Sequence, residues 1–213
     1  FIDRFGRKAL LIFGFLFFFI SMFLLSYVFS SATYELTPQA VETLPGHVDK
    51  AKTAGMMNIT YHSDIEFKDA VEENFGSIES KKVEADLITA SINMNAWLIL
   101  LSIIGFVASF AISIGPVMWV LFSELFPNTI RGIAVSFTGF INSSISFLVQ
   151  LVFPWELATI GNAWTFFIYG LFAALGLIFV LIVLPETKNK SLEELEAILV
   201  PTDKQKLNSK SKT

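Results

Sequence analysis

The sequence predicts an all-α membrane protein with four transmembrane helices, and three observations lead there. Hydrophobic residues make up 54% of the 213 and charged residues only 16%, well below the roughly 25% of soluble domains. Four apolar stretches are each long enough to cross a hydrocarbon core of about 30 Å, which takes about 20 helical residues. Period-two alternation is absent from them, and lipid cannot satisfy an open sheet edge, so strands are excluded as spans.

The stretches cover residues 9–29, 93–122, 132–153 and 163–184. The chain therefore divides into a basic segment plus first span (1–30), an acidic extracytoplasmic loop (31–92), three further spans (93–184) and a cytoplasmic tail (185–213). Basic residues set the orientation. Arg4, Arg7 and Lys8 before the first span, Arg131 between the second and third, and the six lysines of the tail all lie on one side. The other side has only Lys50, Lys52, Lys68, Lys81 and Lys82, all in a loop long enough for its charges to weigh little. Both ends are expected in the cytoplasm, in a multi-pass protein of the cell membrane. Residue 1 is Phe, and no small-residue cleavage site follows the first apolar run. A signal peptide does not fit, and the chain is expected to continue upstream through Phe1-Ile2-Asp3-Arg4.

Each remaining segment has its own signature. Trp97, Trp155 and Trp164 fall at the outer ends of spans, as in an interfacial aromatic belt, whereas Trp119 lies inside the membrane. The loop holds eleven acidic residues against five lysines, and its patches 67–75 and 83–92 carry helical periodicity. It is either a solvated insertion or a cap over the external mouth. Asn58-Ile59-Thr60 in it fits the N-glycosylation pattern. Beyond Pro185, Ser191 with Glu194 makes a capping box, and Leu192, Leu195, Ile198 and Leu199 line one face of a short amphipathic helix.

Several function classes drop out. The chain has no cysteine, which removes disulfides and thiolate metal or redox sites; His47 and His62 sit in the loop without metal-ligand spacing. No nucleophile–base pair, metal cluster or phosphate loop occurs, and Glu156 stands alone at the outer rim. An enzyme is not expected, nor a cofactor, nor a nucleic-acid partner.

The polar residues within the spans carry the chemistry. Thr138, Asn142, Ser146 and Gln150 recur every four residues and share a slowly drifting helix face. Asn142 falls about 16 Å beyond Arg131 at 1.5 Å per residue, near mid-membrane. An amide there either bonds a neighbouring helix or lines a polar substrate path. Gly115-Pro116 lets its helix bend or unwind, as a packing kink or to expose carbonyls to a cavity. The indole of Trp119 offers a flat apolar face and an N–H donor, which suits a sugar ring. At the cytoplasmic surface, Asp3, Arg4, Arg7 and Lys8, with Glu124 and Arg131 around Phe126-Pro127-Asn128-Thr129, could clamp helix ends in one state. As surface pairs they are worth about 0 to 1 kcal/mol each, so a gating role needs partial burial.

Four motifs, in order, are Asp3-Arg4-Phe5-Gly6-Arg7-Lys8, Gly115-Pro116-Val117-Met118-Trp119, Glu124-Leu125-Phe126-Pro127 with Arg131, and Pro185-Glu186-Thr187-Lys188. Together they make the chain resemble the sugar porters of the major facilitator superfamily, most of all bacterial xylose–proton symporters. The resemblance covers nearly the whole chain apart from the long loop, where many members have a short one. It implies that the spans are helices nine to twelve, part of a C-terminal six-helix half that moves a monosaccharide by alternating access, with protons as the coupling partner. It further implies Trp119, Asn142 and Gly115 at the sugar site. Ser143 replaces a common tryptophan there. Arg4, Arg7, Glu124 and Arg131 would hold the outward-facing state, and Gly6 would permit a tight turn. Upstream helices of the same transporter, including a first-helix carboxylate linked to proton coupling, would complete the site. A polyol transporter or a non-transporting sensor of the same fold is the alternative.

Overall fold

The computed structural model describes residues 6–126 and 130–186. Four helical spans dominate: α1 (Arg7–Ser30), a second span opening with α5 (Ala96–Ser109), α7 (Arg131–Thr159) and α8 (Gly161–Ile182). All four are long and apolar enough to cross a membrane. The second span continues from α5 through a π-helical turn, Phe110–Ile114, into α6 (Gly115–Leu125). The sequence allowed a bend or an unwound stretch at Gly115-Pro116, and the backbone instead stays helical by widening. Pro116 has no N–H and its ring crowds the carbonyl four residues back, so the ladder shifts and the Gly115 N–H donates to the Phe110 carbonyl, five residues back.

The chain divides into two compact units. One contains the chain up to Phe18, Val107–Val149, and the chain from Ala173 on. Its apolar core is Leu10, Leu11, Val117, Leu121, Val180 and Leu184. Gly14 lets α1 approach the π turn closely: a Cβ there would collide with Ser113, whose hydroxyl donates to the Leu10 carbonyl. Gly176 of α8 does the same against the Phe15 ring. Small residues bring helix backbones near enough for dispersion and hydrogen bonding to hold them, which matters where lipid supplies no hydrophobic drive. In α7, by contrast, no residue is buried.

The other unit contains Phe19–Phe106 and Gln150–Phe172. Most of it is the acidic loop, which is neither irregular nor wholly helical. Three short antiparallel strands, β1 (Thr33–Glu35), β2 (Thr60–Tyr61) and β3 (Ile92–Asn93), form a sheet in the order β2-β1-β3. Around it lie α2 (Pro38–Thr43), α3 (Asp64–Phe75) and α4 (Ser80–Ser91). The helices follow from local signals. Thr37 and Ser63 cap α2 and α3 through their hydroxyls, and Gly76 ends α3 at φ 80°. Strand pairing depends on partners distant in sequence, and Tyr34 sits opposite both Tyr61 and Ile92. Tyr34, Leu36, Met56, Phe67, Val71 and Leu87 are almost fully buried, and the Tyr34 and Phe67 rings stack at 5.4 Å.

The span ends in this unit carry three tryptophans and a helix cap. Trp97, Trp155 and Trp164 are all exposed, as an aromatic belt requires. Asn95 caps α5 by accepting from Trp97 N–H at 3.1 Å. The amphipathic helix expected around 191–199 lies outside the described residues.

Candidate functional site

Gly115, Trp119 and Asn142 all belong to the first unit, the first two in succession after the π turn. Gly115 is tightly placed, since a Cβ would stand 3.1 Å from the Phe110 carbonyl oxygen. One turn on, the Trp119 ring is 52% exposed and meets Phe122 edge-on at 6.0 Å. About half of the residue's surface is therefore open. Asn142 is half-buried on α7, its amide without a hydrogen bond among the described residues, and Thr138 one turn earlier turns inward to the Ala134 carbonyl at 2.8 Å. α7 is thus a 29-residue apolar helix with a half-buried mid-span amide and no buried position.

The charges expected on the cytoplasmic side are found around α1 and the start of α7. Gly6, at φ 89°, leads into the helix, and the Arg7 N–H donates to Glu186 Oε1 at 3.0 Å. A carboxylate at this helix N-terminus satisfies an orphan donor and faces the positive end of the dipole. The Lys8 ammonium donates to the Leu181 carbonyl at 3.0 Å, near the C-terminal end of α8, where a cation is likewise favoured. Glu186 belongs to the Pro185-Glu186 motif but was not singled out from sequence; the motif order was the signal that could have found it. Arg131 gives its Nε–H to the Phe126 carbonyl at 3.2 Å, while its Nη2 is buried without a hydrogen-bond partner among the described residues. A buried guanidinium nitrogen left unpaired is costly, so this group calls for an acceptor beyond those described. Arg4 and the side chain of Glu124 lie outside the described residues.

Two carboxylates in the second unit do more than the sequence suggested. Glu156 does not stand alone: Tyr169 donates its hydroxyl to Glu156 Oε2 at 3.0 Å across the α7–α8 turn, with the Phe153 ring edge-on to Tyr169 at 5.9 Å. Asp64 is 8% exposed and accepts from the Asn162 N–H at 3.1 Å, capping α8 from the loop domain. Lys68 lies 3.5 Å from the same oxygen. No sequence signal pointed to Asp64, because the pair is 98 residues apart. Elsewhere in the loop, burial first and then the Asp64 charge push the Tyr34 hydroxyl up to about 12. The hydrogen bond to Glu79 raises the Lys52 ammonium above its ordinary value. His47 meets Asp86 at 2.9 Å, and among the described residues no group of three or more His, Cys, Asp or Glu side chains is placed to hold a metal ion.

Comparison with known proteins bears on the spans and the loop together. The family model described as "Sugar (and other) transporter" matches residues 82–199, more than half of the 213. The D-xylose-proton symporter of Escherichia coli (strain K12) is 42% identical over 111 residues, covering 49% of this chain and 23% of that protein. Facilitated glucose transporter member 10 of solute carrier family 2 from Danio rerio is 29% identical over 203 residues, covering 94% of this chain and 36% of that protein. Among solved structures, the inward-open xylose transporter XylE from E. coli aligns with a TM-score of 0.57 at 30% identity, over 92% of this chain and 30% of that one. The chain spans only 23% and 36% of the length of these two curated relatives. With its model match, its four spans and this structural likeness, the chain belongs to the sugar transporter family of the major facilitator superfamily.

Proposed function

We propose that this chain supplies helices nine to twelve of a transporter that moves a monosaccharide across the cell membrane by alternating access, coupled to protons. The observation that carries the reading is α7: every position is at least partly open, and Asn142 sits half-way along it in the same compact unit as the exposed Trp119 indole. An amide gives hydroxyls both a donor and an acceptor, and an indole takes the C–H face of a sugar ring. Both would contact substrate, with Gly115 keeping the backbone close. The relatives named as a xylose–proton symporter and glucose transporters support the substrate class and the proton coupling.

Gating would rest on the cytoplasmic charges. Arg7, with Glu186 behind it, and Arg131, whose buried Nη2 has no partner among the described residues, fit a cluster that closes on partners elsewhere in the transporter and opens when the halves rock. Arg4 and Glu124 are assigned to the same cluster on sequence grounds. Both ends of the chain would face the cytoplasm.

The test is sugar uptake by the full-length protein in proteoliposomes with an imposed proton gradient. Trp119→Ala and Asn142→Ala are each expected to reduce kcat/KM about tenfold or more, at unchanged expression, as expected from the loss of one to two hydrogen bonds or a ring stack. Wild-type kinetics in both variants would remove these residues from the site. Uptake that ignores the gradient would remove the proton.

A further inference from the structure

We propose that the loop domain carries a second sugar site, in the cleft where its helices α3 and α4 meet the end of α1 and the start of α8. The contact that forms the cleft is built into the sequence. Gly161 opens α8 at φ 82°, and a Cβ there would stand 2.8 Å from Asp64 Oδ1 and 3.2 Å from Ile65 Cδ1 of α3. Glycine allows both the backbone conformation and the close approach. The Ser26 hydroxyl of α1 donates to the Ala163 carbonyl at 2.9 Å, and the Phe29 ring stacks on Phe166 at 5.4 Å, so the two span ends are held together. Phe29 and Asn162 from those ends line the cleft, with Lys81, Glu84, Ala85 and Ile88 from one face of α4. The cavity measures about 500 Å³, a size usual for small-molecule sites.

The chemistry of the cleft selects a neutral ligand rich in hydroxyls. Its charged side chains cancel, Asp64 and Glu84 against Lys68 and Lys81. Lys68 lies 3.5 Å from Asp64 and 3.9 Å from Glu84, so it pairs with both while its ammonium makes no hydrogen bond among the described residues. The Glu84 carboxylate and the side-chain amide of Asn162 make none there either. Three side chains thus hold unspent donors and acceptors in one cavity, beside the apolar surfaces of Phe29, Ile88 and Met94. A sugar hydroxyl both donates and accepts, so neighbouring hydroxyls can answer the Lys68 ammonium and the Glu84 carboxylate together, and the C–H face of the ring can lie on Phe29. An anion would meet two carboxylates and a cation two ammoniums, which favours neither. The proposal rests on sugar transport as the function and adds a place where substrate is held on the loop side of the membrane.

The test is hydrogen exchange of the full-length protein in lipid nanodiscs, titrated with D-xylose or D-glucose. In the wild type the amides of α4 and of Asn162 should slow saturably, by about tenfold at a sugar concentration about ten times the Kd. Asn142→Ala, which disables the transport site, should keep that slowing; its loss there would trace the effect to the transport site and overturn the proposal. Ala85→Trp puts an indole into the cleft from an exposed position of α4 and should remove the slowing. Glu84→Gln, which keeps the shape of the side chain, should raise the Kd about tenfold through loss of a charged hydrogen bond. Equal slowing in the wild type and Ala85→Trp would make the sugar a general stabilising co-solute and overturn the site. Absence of slowing at concentrations that saturate uptake would overturn the cleft site and leave the transport reading standing. Absence of slowing and of uptake with both sugars would overturn the two together.

Discussion

Removing the Asp64 carboxylate should loosen the outer end of α8 by an amount the structure allows to be worked out. Asp64 is nearly buried and bonds the Asn162 N–H at 3.1 Å, one of the orphan donors of the first helical turn. A hydrogen bond to a charged group is worth about 1.5–3 kcal/mol net, and a carboxylate at a helix N-terminus adds about 0.3–1 kcal/mol. Lys68, at 3.5 Å, loses one partner but keeps Glu84 at 3.9 Å, so it adds little to the loss. Asp64→Ala should therefore cost about 2–3 kcal/mol locally, and Asp64→Asn, which keeps an acceptor oxygen, about 1 kcal/mol. Hydrogen exchange of the full-length protein in lipid nanodiscs reads this directly. At about 1.4 kcal/mol per factor of ten, the Asn162 amide should exchange about 30- to 100-fold faster in the alanine variant. The amides of α3, which Asp64 opens, serve as the internal control, since a general loss of the loop domain would accelerate them equally. Unchanged exchange at Asn162 in Asp64→Ala would refute the capping role.

Other outcomes follow from single contacts. Tyr34 ionises near 10 when unfolded and near 12 when folded, so its contribution is intact below pH 10 and is withdrawn as pH climbs from 10 to 12, by up to about 2–3 kcal/mol. Tyrosinate absorbance against pH should show the loop domain opening across that window, and Tyr34→Phe should weaken the dependence. Gly14→Ala and Gly176→Ala drive a methyl into Ser113 and the Phe15 ring respectively and should each destabilise the transporter by about 1–3 kcal/mol, seen as a lower Tm in detergent. Glu186→Gln removes the charge at the N-terminus of α1 while keeping an acceptor for the Arg7 N–H, and should lower stability by about 0.3–1 kcal/mol, less at high salt.

The spans were legible because the bilayer imposes one length scale and one polarity rule on any helix that crosses it, and both are written in the order of residues. The stretch read as 9–29 is α1, Arg7–Ser30, and the others agree to within a few residues at most ends. Trp119 and Asn142 could be singled out for the same reason: polar or amphipathic groups at membrane depth need an explanation. The π turn could not be read, because Pro116 fixes only that a hydrogen bond is lost and not how the ladder closes around it. The strands of the loop were equally hidden. Two- and three-residue strands have no periodicity to detect, and they exist because Tyr34 finds Tyr61 and Ile92 across long stretches of chain.

Sequence by itself thus determined which stretches are fit to lie in lipid, roughly where each begins, and the family motifs that join them. Tertiary structure alone decided which carboxylates have work to do. Asp64 and Glu156 are two acidic residues among nineteen that nothing local separates from the rest, and the motif around Glu186 does not say which donor it meets. A carboxylate's role depends on the N–H or hydroxyl within about 3 Å of it, and for these three the partner is 98, 13 and 179 residues away.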